Sequence, residues 1–288
     1  MQVSPRVYGV HISEERKGPG AMHPGGTNIY FVGDPRESMV VIDTGEHYRT
    51  WSLRIQEFHA ELGSPAIDAI LVTHGHSDHI GGVDRLQEYF TRVRGRNGDG
   101  CRVRCHPRLR ERLGRILGDP SIVSPLKSRE VVRTGGGAGL RALFTPGHED
   151  DHVCFHLPGD RVMFTGDTIL GASTTTVRDL AEYMASLALL ETYRPETICP
   201  GHGPVVHEAA PRIRSYISHR ERRERQVLEA VGHGHNTVAA IMSYIYPRNL
   251  RRELREPATR NVLTHLTKLA KEGRLTETPA TYSLPSGP

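Results

Sequence analysis

The chain has 288 residues, 37% hydrophobic and 24% charged, which suits one large domain or a large domain with a small one. No apolar run approaches the roughly 20 residues of a membrane span, and the opening residues, with no apolar core and with Glu14 and Glu15, are neither a secretory signal nor a transit peptide, so a cytoplasmic protein with no membrane partner is expected. Residues 207–288 hold 14 Arg and Lys against 8 Glu, a net +6, while residues 1–206 hold 23 basic against 25 acidic, a net −2, so any acidic partner would meet the C-terminal part.

Residues 7–10, 28–32 and 39–42 are short β-type runs broken by Gly, Pro and Asp turns. The last ends in Asp43-Thr44-Gly45; an aspartate there is a turn residue or a group that steadies a metal-bound histidine from behind. Residues 48–62 read as a helix with Trp51, Ile55, Phe58 and Leu62 on one face. Residues 67–72 form a buried strand that runs into Thr73-His74-Gly75-His76-Ser77-Asp78-His79-Ile80-Gly81-Gly82. Three histidines and an aspartate within six positions read as metal ligands. A helix over 83–90 leaves this motif.

Residues 91–118 carry nine arginines. They are either a solvated charged face or a rim for an anionic substrate, with a turn at 95–100, a strand at 102–105 and a helix at 108–117. A repeated pattern follows. The strand at 140–144 ends in Thr145-Pro146-Gly147-His148, the strand at 153–157 follows, the strand at 162–164 ends in Thr165-Gly166-Asp167, and the strand at 197–199 ends in Pro200-Gly201-His202. With residues 67–72, apolar strands deliver His or Asp through turns rich in Gly or Pro, which let the backbone close around a small centre. An amphipathic helix covers 179–190, with Leu180, Met184, Leu187 and Leu190 on its apolar stripe. Cys101, Cys105, Cys154 and Cys199 form no CxxC pair and are read as reduced and structural, with metal binding by the first two as the alternative.

After His202 the character changes. A charged helix is expected over 211–231, a turn over 232–236 and a short helix over 238–246. A third helix is expected to begin at Pro257, where proline is tolerated, and to end at Gly273. Residues 276–284 form a hairpin or an extended tail. The order suggests a winged-helix module, dividing the chain into a domain at 1–210 and a helical domain at 211–288. The third helix would show Arg260, Thr264, Lys268 and Lys271 on one face, either to contact phosphates or as part of a helix packed on the enzyme to shape its cleft.

The ligand-type residues sort into two metal positions. His74, His76 and His148 supply one, Asp78, His79 and His202 the other, and Asp167 bridges them. Such donors suit two Zn2+ ions, with Mn2+ or Fe as alternatives. A hydroxide bridging two such ions is a nucleophile at neutral pH, so metal-assisted hydrolysis is expected, with Asp78 and Asp167 as the catalytic carboxylates and Asp43 and Thr73 behind the ligands. No GxSxG is present.

The motif THGHSDHIGG, with DTG before it and TPGH, TGD and PGHG after it, resembles the metallo-β-lactamase superfamily. That resemblance implies an α+β fold, the αββα sandwich. Oxygen-reducing di-iron members usually carry Glu where this chain has His76, so hydrolysis is implied. The segments 26–33, 145–155, 165–187, 199–206, 216–226 and 261–275 are similar to the group named for β-lactamase-like protein 2, which includes endoribonucleases acting on single-stranded RNA. A similar group comprises fungal thioesterases that release polyketides from acyl carrier protein. Both share an appended C-terminal helical module. Gly75 and Ser77 depart from the first group, where bulkier residues are common, and so does the arginine-rich stretch. The resemblance also implies that His152 and residues 173–176 (Ser173, Thr174, Thr175 and Thr176) lie near the substrate.

The leading expectation is a dinuclear zinc phosphodiesterase acting on single-stranded RNA. The alternative is a thioester or small-ester hydrolase, including glyoxalase II-like activity, with the helical module as a lid. A nucleic-acid-binding protein with a spent active site is the alternative from another class. Monomer and homodimer are both compatible with the sequence.

Overall fold

The computed structural model describes residues 1–13, 25–94, 100–278 and 281–283. Residues 95–99 of the turn expected over 95–100, and residues 279, 280 and 284 of the tail expected over 276–284, lie outside the described residues. A first sheet takes its strands in chain order: β1 (Gln2–Ser4), β2 (Val7–Ile12), β3 (Thr27–Gly33), β4 (Ser38–Ile42), β5 (Ala66–Leu71), β6 (Arg102–Cys105) and β7 (Val123–Pro125). It is antiparallel from β1 to β4 and parallel from β4 to β7. The parallel half needs crossovers, supplied by α1 (Arg49–Glu61), then α2 (Ser77–Ile80) with α3 (Val83–Arg94), then α4 (Arg110–Leu117). The second sheet contains β8 (Val131–Arg133), β9 (Gly139–Phe144), β10 (Val153–Leu157), β11 (Val162–Gly166) and β12 (Thr197–Pro200), in the order β12-β11-β10-β9-β8. Helix α5 (Leu180–Thr192) connects β11 to its parallel partner β12.

Alternation along β3 shows how the layers form. Ile29 and Phe31 face the cluster that α1, α3 and α4 cover, while Tyr30 and Val32 face the second sheet. Between the sheets they meet Val153, Phe155, Val162 and Phe164. The far face of the second sheet, with Cys154, Met163 and Ile198, is covered by α5 and the start of α6 (Ala209–Gly232). The result is the expected αββα sandwich. All four cysteines are buried and joined in no disulfide, with Cys101 and Cys105 within the apolar cluster under the helices.

Helix α6 serves two cores. Ala209, Ile213 and Tyr216 pack with α5, whereas Val227, Ala230 and Val231 pack with α7 (Val238–Ile245) and α8 (Arg252–Lys271). A hairpin of β13 (Thr276–Thr278) and β14 (Thr281–Ser283) completes a winged helix. One expectation needs correction here. Helix α8 begins five residues before Pro257, which lies inside it; the polar turn ahead of the proline carries no apolar periodicity to betray it. The face of α8 expected to meet phosphates is partly engaged within the protein, with Arg260 and Lys271 exposed and Lys268 enclosed. Lys268, 13% exposed, lies 2.6 Å from Glu224 of α6, and Lys271 lies 3.2 Å from Asp179 at the start of α5. Among the described residues no helix is long and apolar enough to cross a membrane.

Candidate metal centre

Strand ends from both sheets meet at one edge of the sandwich. The loop after β5 brings His74, His76, Asp78 and His79, and the ends of β9, β11 and β12 bring His148, Asp167 and His202. Two clusters result. The ligand atoms of His74, His76, His148 and Asp167 lie within 4.8 Å of one another, and so do those of Asp78, His79 and His202. Asp167 faces both. Its Oδ2 lies 3.7 Å from His148 Nε2 and 4.0 Å from His74 Nε2, while its Oδ1 lies 3.4 Å from His79 Nε2 and 3.3 Å from His202 Nε2.

The imidazoles are oriented by their outward nitrogens. His148 Nδ1 donates to Thr176 O (2.8 Å) and His202 Nδ1 to Gly26 O (2.8 Å); a carbonyl only accepts, so Nδ1 carries a proton in each and Nε2 is turned toward the cluster. His79 Nδ1 donates to Asp43 Oδ2 at 2.7 Å. Thr73 gives its one hydroxyl proton to Asp43 Oδ2 (2.8 Å), so at 3.1 Å it accepts from His74 Nδ1. Asp43, at φ 62° in the left-handed region, also accepts from Thr73 N (2.8 Å). His76 is turned the other way: Nε2 donates to Glu149 Oε1 at 2.8 Å, and Nδ1 faces His148 Nε2 at 3.4 Å.

This arrangement fits divalent ions. The Nε2 atoms of His74 and His79 and Oδ1 of Asp167 are buried without a hydrogen bond, a costly condition that a cation relieves. Burial drives His74 well below the usual imidazole range, and His79 adds to the effect. Burial also opposes a charge on His79, yet Asp78, Asp43 and Asp167 together hold it well above that range. His202 behaves alike: burial opposes its charge, but the carboxylates of Asp167 and Asp78 beside it push it up to about 9. The carboxylates thus demand positive charge, and nitrogen and oxygen donors suit zinc-type ions.

Close backbone approach is needed here. A Cβ at Gly201 would stand 2.8 Å from both Asp167 Oδ1 and His79 Cε1. At Gly147, φ 128°, a Cβ would stand 2.4 Å from the Tyr183 backbone, where α5 crosses the turn that carries His148.

A family model of the metallo-β-lactamase superfamily matches residues 22–202, and a β-lactamase-associated winged helix model matches residues 237–281. The chain is 34% identical over 272 residues to a β-lactamase-like protein 2 homolog of Drosophila melanogaster, covering 89% of this chain and 86% of the relative. The chain belongs to the metallo-β-lactamase superfamily. It is a hydrolase of that superfamily with a candidate metal site. It is also 38% identical over 213 residues to an atrochrysone carboxyl ACP thioesterase of Aspergillus fumigatus, covering 74% of this chain but only 62% of that relative. A β-lactamase domain protein from Burkholderia ambifaria shares the fold, with a TM-score of 0.78 at 20% identity over 99% of this chain and 94% of that one.

Against this metallo-β-lactamase frame, the residues expected near the substrate divide. Ser173 and Thr174 are exposed at a cavity of about 340 Å³ that opens onto His76, His148, Asp167 and His202. Thr175 is buried, with Oγ1 3.1 Å from His148 Nδ1. His152 needs correction: it is fully buried behind the centre, stacked on His74, with Nε2 accepting from Asp167 N (3.1 Å) and Nδ1 3.0 Å from Thr145 Oγ1. Fully buried, it supports Asp167 N and the His74 ring from behind.

Some supports carried no sequence signal. Glu149 holds His76. Arg112 of the arginine-rich stretch donates to Gly75 O at 2.7 Å, and a Cβ at Gly75 would stand 3.0 Å from Arg112 Nη1 and 2.9 Å from Asp151 Oδ2. The small residue in the motif and the arginine-rich stretch are therefore one feature, a buttress under the His74–His76 loop. On α6, Arg212, Tyr216 and Arg220 stand four residues apart on one face. Arg212 donates to Gly171 O, Tyr216 donates to Ser173 O and accepts from Leu170 N (2.9 Å), and Arg220 donates to Thr175 O (2.7 Å). The C-terminal domain thus grips the loop that orients His148.

Proposed function

We propose that the chain is a dinuclear zinc hydrolase of acyl thioesters and related small esters, with Mn2+ or Fe as alternative ions. The observation that carries the two-ion reading is Asp167, one oxygen directed at each cluster. In this reading His74, His76 and His148 hold one ion, Asp78, His79 and His202 the other, and Asp167 both. The ions would supply Lewis acidity and lower the pKa of water to roughly 7. Asp43, Thr73 and Glu149 keep the ligating nitrogens aimed inward. Asp78, buried 3.1 Å from His202 Nε2, accepts the proton of the attacking water. Ser173 and Thr174 border the space for the acyl group. The domain division falls at 210/211, with α6 bracing the active-site loop from the C-terminal side.

The choice of thioester rests on the C-terminal domain. On the basic face of α8, Lys268 is held by Glu224 and Glu272 and Lys271 pairs with Asp179, which leaves Arg260, beside Glu256, as its exposed arginine. Tyr246, the aromatic ring lining the cleft beside the centre, carries the Arg223 guanidinium on its face at 4.5 Å, so it offers no open platform for a base. The relative named as an ACP thioesterase supports the same choice. Hydrolysis of single-stranded RNA is the second reading, favoured by the arginines that line this cleft.

The test is metal-loaded protein given an acyl thioester, a small ester and labelled single-stranded RNA. Thioester turnover should stop on chelation and fall at least about a hundredfold in Asp78→Ala. RNA cleavage that outpaces thioester turnover with the same dependences would give the function to the second reading. Turnover that survives chelation would refute the metal mechanism.

A further inference from the structure

A second cavity, about 430 Å³, opens from the metal centre at His76 and His148 and runs between the active-site loop and helices α6 and α8. Arginines from three separate elements line it: Arg178 before α5, Arg223 on α6 and Arg260 on α8. Glu149 is the acidic residue among its described lining, and it already bonds His76 Nε2 (2.8 Å) and Arg178 Nε (2.9 Å). Arg260 pairs with Glu256, but those side chains are 68% and 75% exposed, so the pair contributes little and yields to a better partner. Arg223 lies on the Tyr246 ring, which fixes the plane of its guanidinium before any ligand arrives. Two polar atoms on lining residues, Arg223 Nε and Asn261 Oδ1, are buried without a hydrogen bond. In a finished structure such atoms call for an explanation, and a ligand that reorders these side chains supplies one. Leu250, Leu254 and Pro257 give the same cleft an apolar strip.

We infer that this cleft is an anion subsite that selects thioesters whose thiol arm carries a phosphate. The inference rests on the thioester reading above and adds what the substrate must bear away from the reacting bond. Planar guanidinium forks match phosphate oxygens in pairs, and three arginines line this one cleft, where Arg178 is held by Glu149, Arg260 pairs with the exposed Glu256 and Arg223 donates to the neutral Gln226 (2.9 Å). The apolar strip suits the neutral aliphatic part of an arm that runs from phosphate to sulfur. With the phosphate held by Arg178, Arg223 and Arg260, the carbonyl lies toward His76 and His148. Water oxygen bonds to the carbonyl carbon, the carbon–sulfur bond breaks, and the departing thiolate takes up a proton, leaving an acid and a phosphate-bearing thiol.

The experiment compares hexanoyl-coenzyme A with the same acyl group on neutral N-acetylcysteamine, since the reacting bond is identical and only the first carries phosphate. The metal-loaded protein should prefer the coenzyme A thioester by at least about tenfold in kcat/KM, mostly through KM. In Arg223→Met, Arg260→Met and Arg178→Met that preference should shrink toward one. Arg178 and Arg260 are exposed, so their variants fold even where Arg223→Met does not. Calorimetric binding of free coenzyme A reads the subsite without turnover: its Kd should rise about tenfold in each variant and with added salt. If neither thioester is hydrolysed but coenzyme A binds through the arginines, the functional reading fails and the subsite stands. An unchanged preference in all three variants, an unchanged Kd for coenzyme A, or arginine-dependent binding of a short single-stranded RNA in place of coenzyme A would overturn the inference.

Discussion

Arg220 lies 3% exposed between the two domains, 5.4 Å from the centre of the Tyr183 ring, and donates to Thr175 O at 2.7 Å. Replacing it with Met keeps the aliphatic bulk and removes the charge-assisted bond, which costs about 1.5–3 kcal/mol of stability. The more telling effect is on metal. The loop that Arg220 holds carries Thr175 Oγ1 and Thr176 O, the two groups that orient His148 Nδ1. Loss of such support lowers metal affinity by about 10- to 100-fold. His148 belongs to the cluster with His74 and His76, so one site should weaken while the site of Asp78, His79 and His202 keeps its affinity. Competition titration of Zn2+ against a chromophoric chelator reads the two sites separately, and denaturant unfolding reads the stability. Arg220→Lys, which keeps the charge but not the fork, should fall between wild type and Arg220→Met. A fully folded Arg220→Met with two unaltered sites would refute the coupling. An equal loss at both sites would mean that Arg220 acts on the whole fold.

Three other outcomes are expected. Glu149→Gln removes the charged acceptor on His76 Nε2 and should weaken the same site at least about tenfold, read by the same titration. Chelation should release two equivalents of metal, and restoring free metal to a hundred times its Kd should stabilise the fold by about 2.7 kcal/mol per site, measured by denaturant unfolding. Burial pushes the His265 imidazole down to about 4, so it stays neutral in the folded chain while the unfolded chain takes up a proton below about 6.5. Its stability contribution is therefore complete above pH 6.5 and lost as pH falls toward 4, about 3 kcal/mol in all. Unfolding of wild type and His265→Leu at pH 7.5 and 4.5 should show the larger loss in wild type, and equal losses would refute the assignment.

The strand ends were legible because each couples an apolar β-run to a short turn bearing a ligand-type residue, a pattern that needs no tertiary information. The supports were illegible for a shared reason. Glu149 sits in an acidic run, Glu149-Asp150-Asp151, that reads as a solvated turn, yet only Asp150 points outward, to Arg108, while Glu149 and Asp151 turn in toward His76 and Gly75. Arg212, Tyr216 and Arg220 lie in a helix so rich in charge that a four-residue spacing of loop-holding groups is lost among other arginines. His152 follows the TPGH motif closely enough to look like part of the mouth. It stands instead just before β10, a strand buried throughout, and its ring is fully buried against His74. Chemistry carried by residue type was readable, and chemistry carried by direction was not.

The same distinction governs the basic C-terminal part. A net +6 over residues 207–288 looks like an electrostatic invitation to nucleic acid, but charge invites only where it is unpaired and exposed. Lys268 is held by Glu224 and Glu272, Lys271 by Asp179, and Arg274 by Glu224. Burial opposes the charge of Glu224, but Lys268 and Arg274 lower its pKa and keep it ionised as the centre of this joint. The pairs fasten α8 to α6 and to the start of α5. In the cleft that leads to His76 and His148, Arg178 is held by Glu149, Arg260 pairs with Glu256 at an exposed position, and Arg223 lies on the Tyr246 ring. Positive charge that faces an active site from within a walled cleft acts on the substrate's own anionic group. It thereby sets which bonds reach the metal centre.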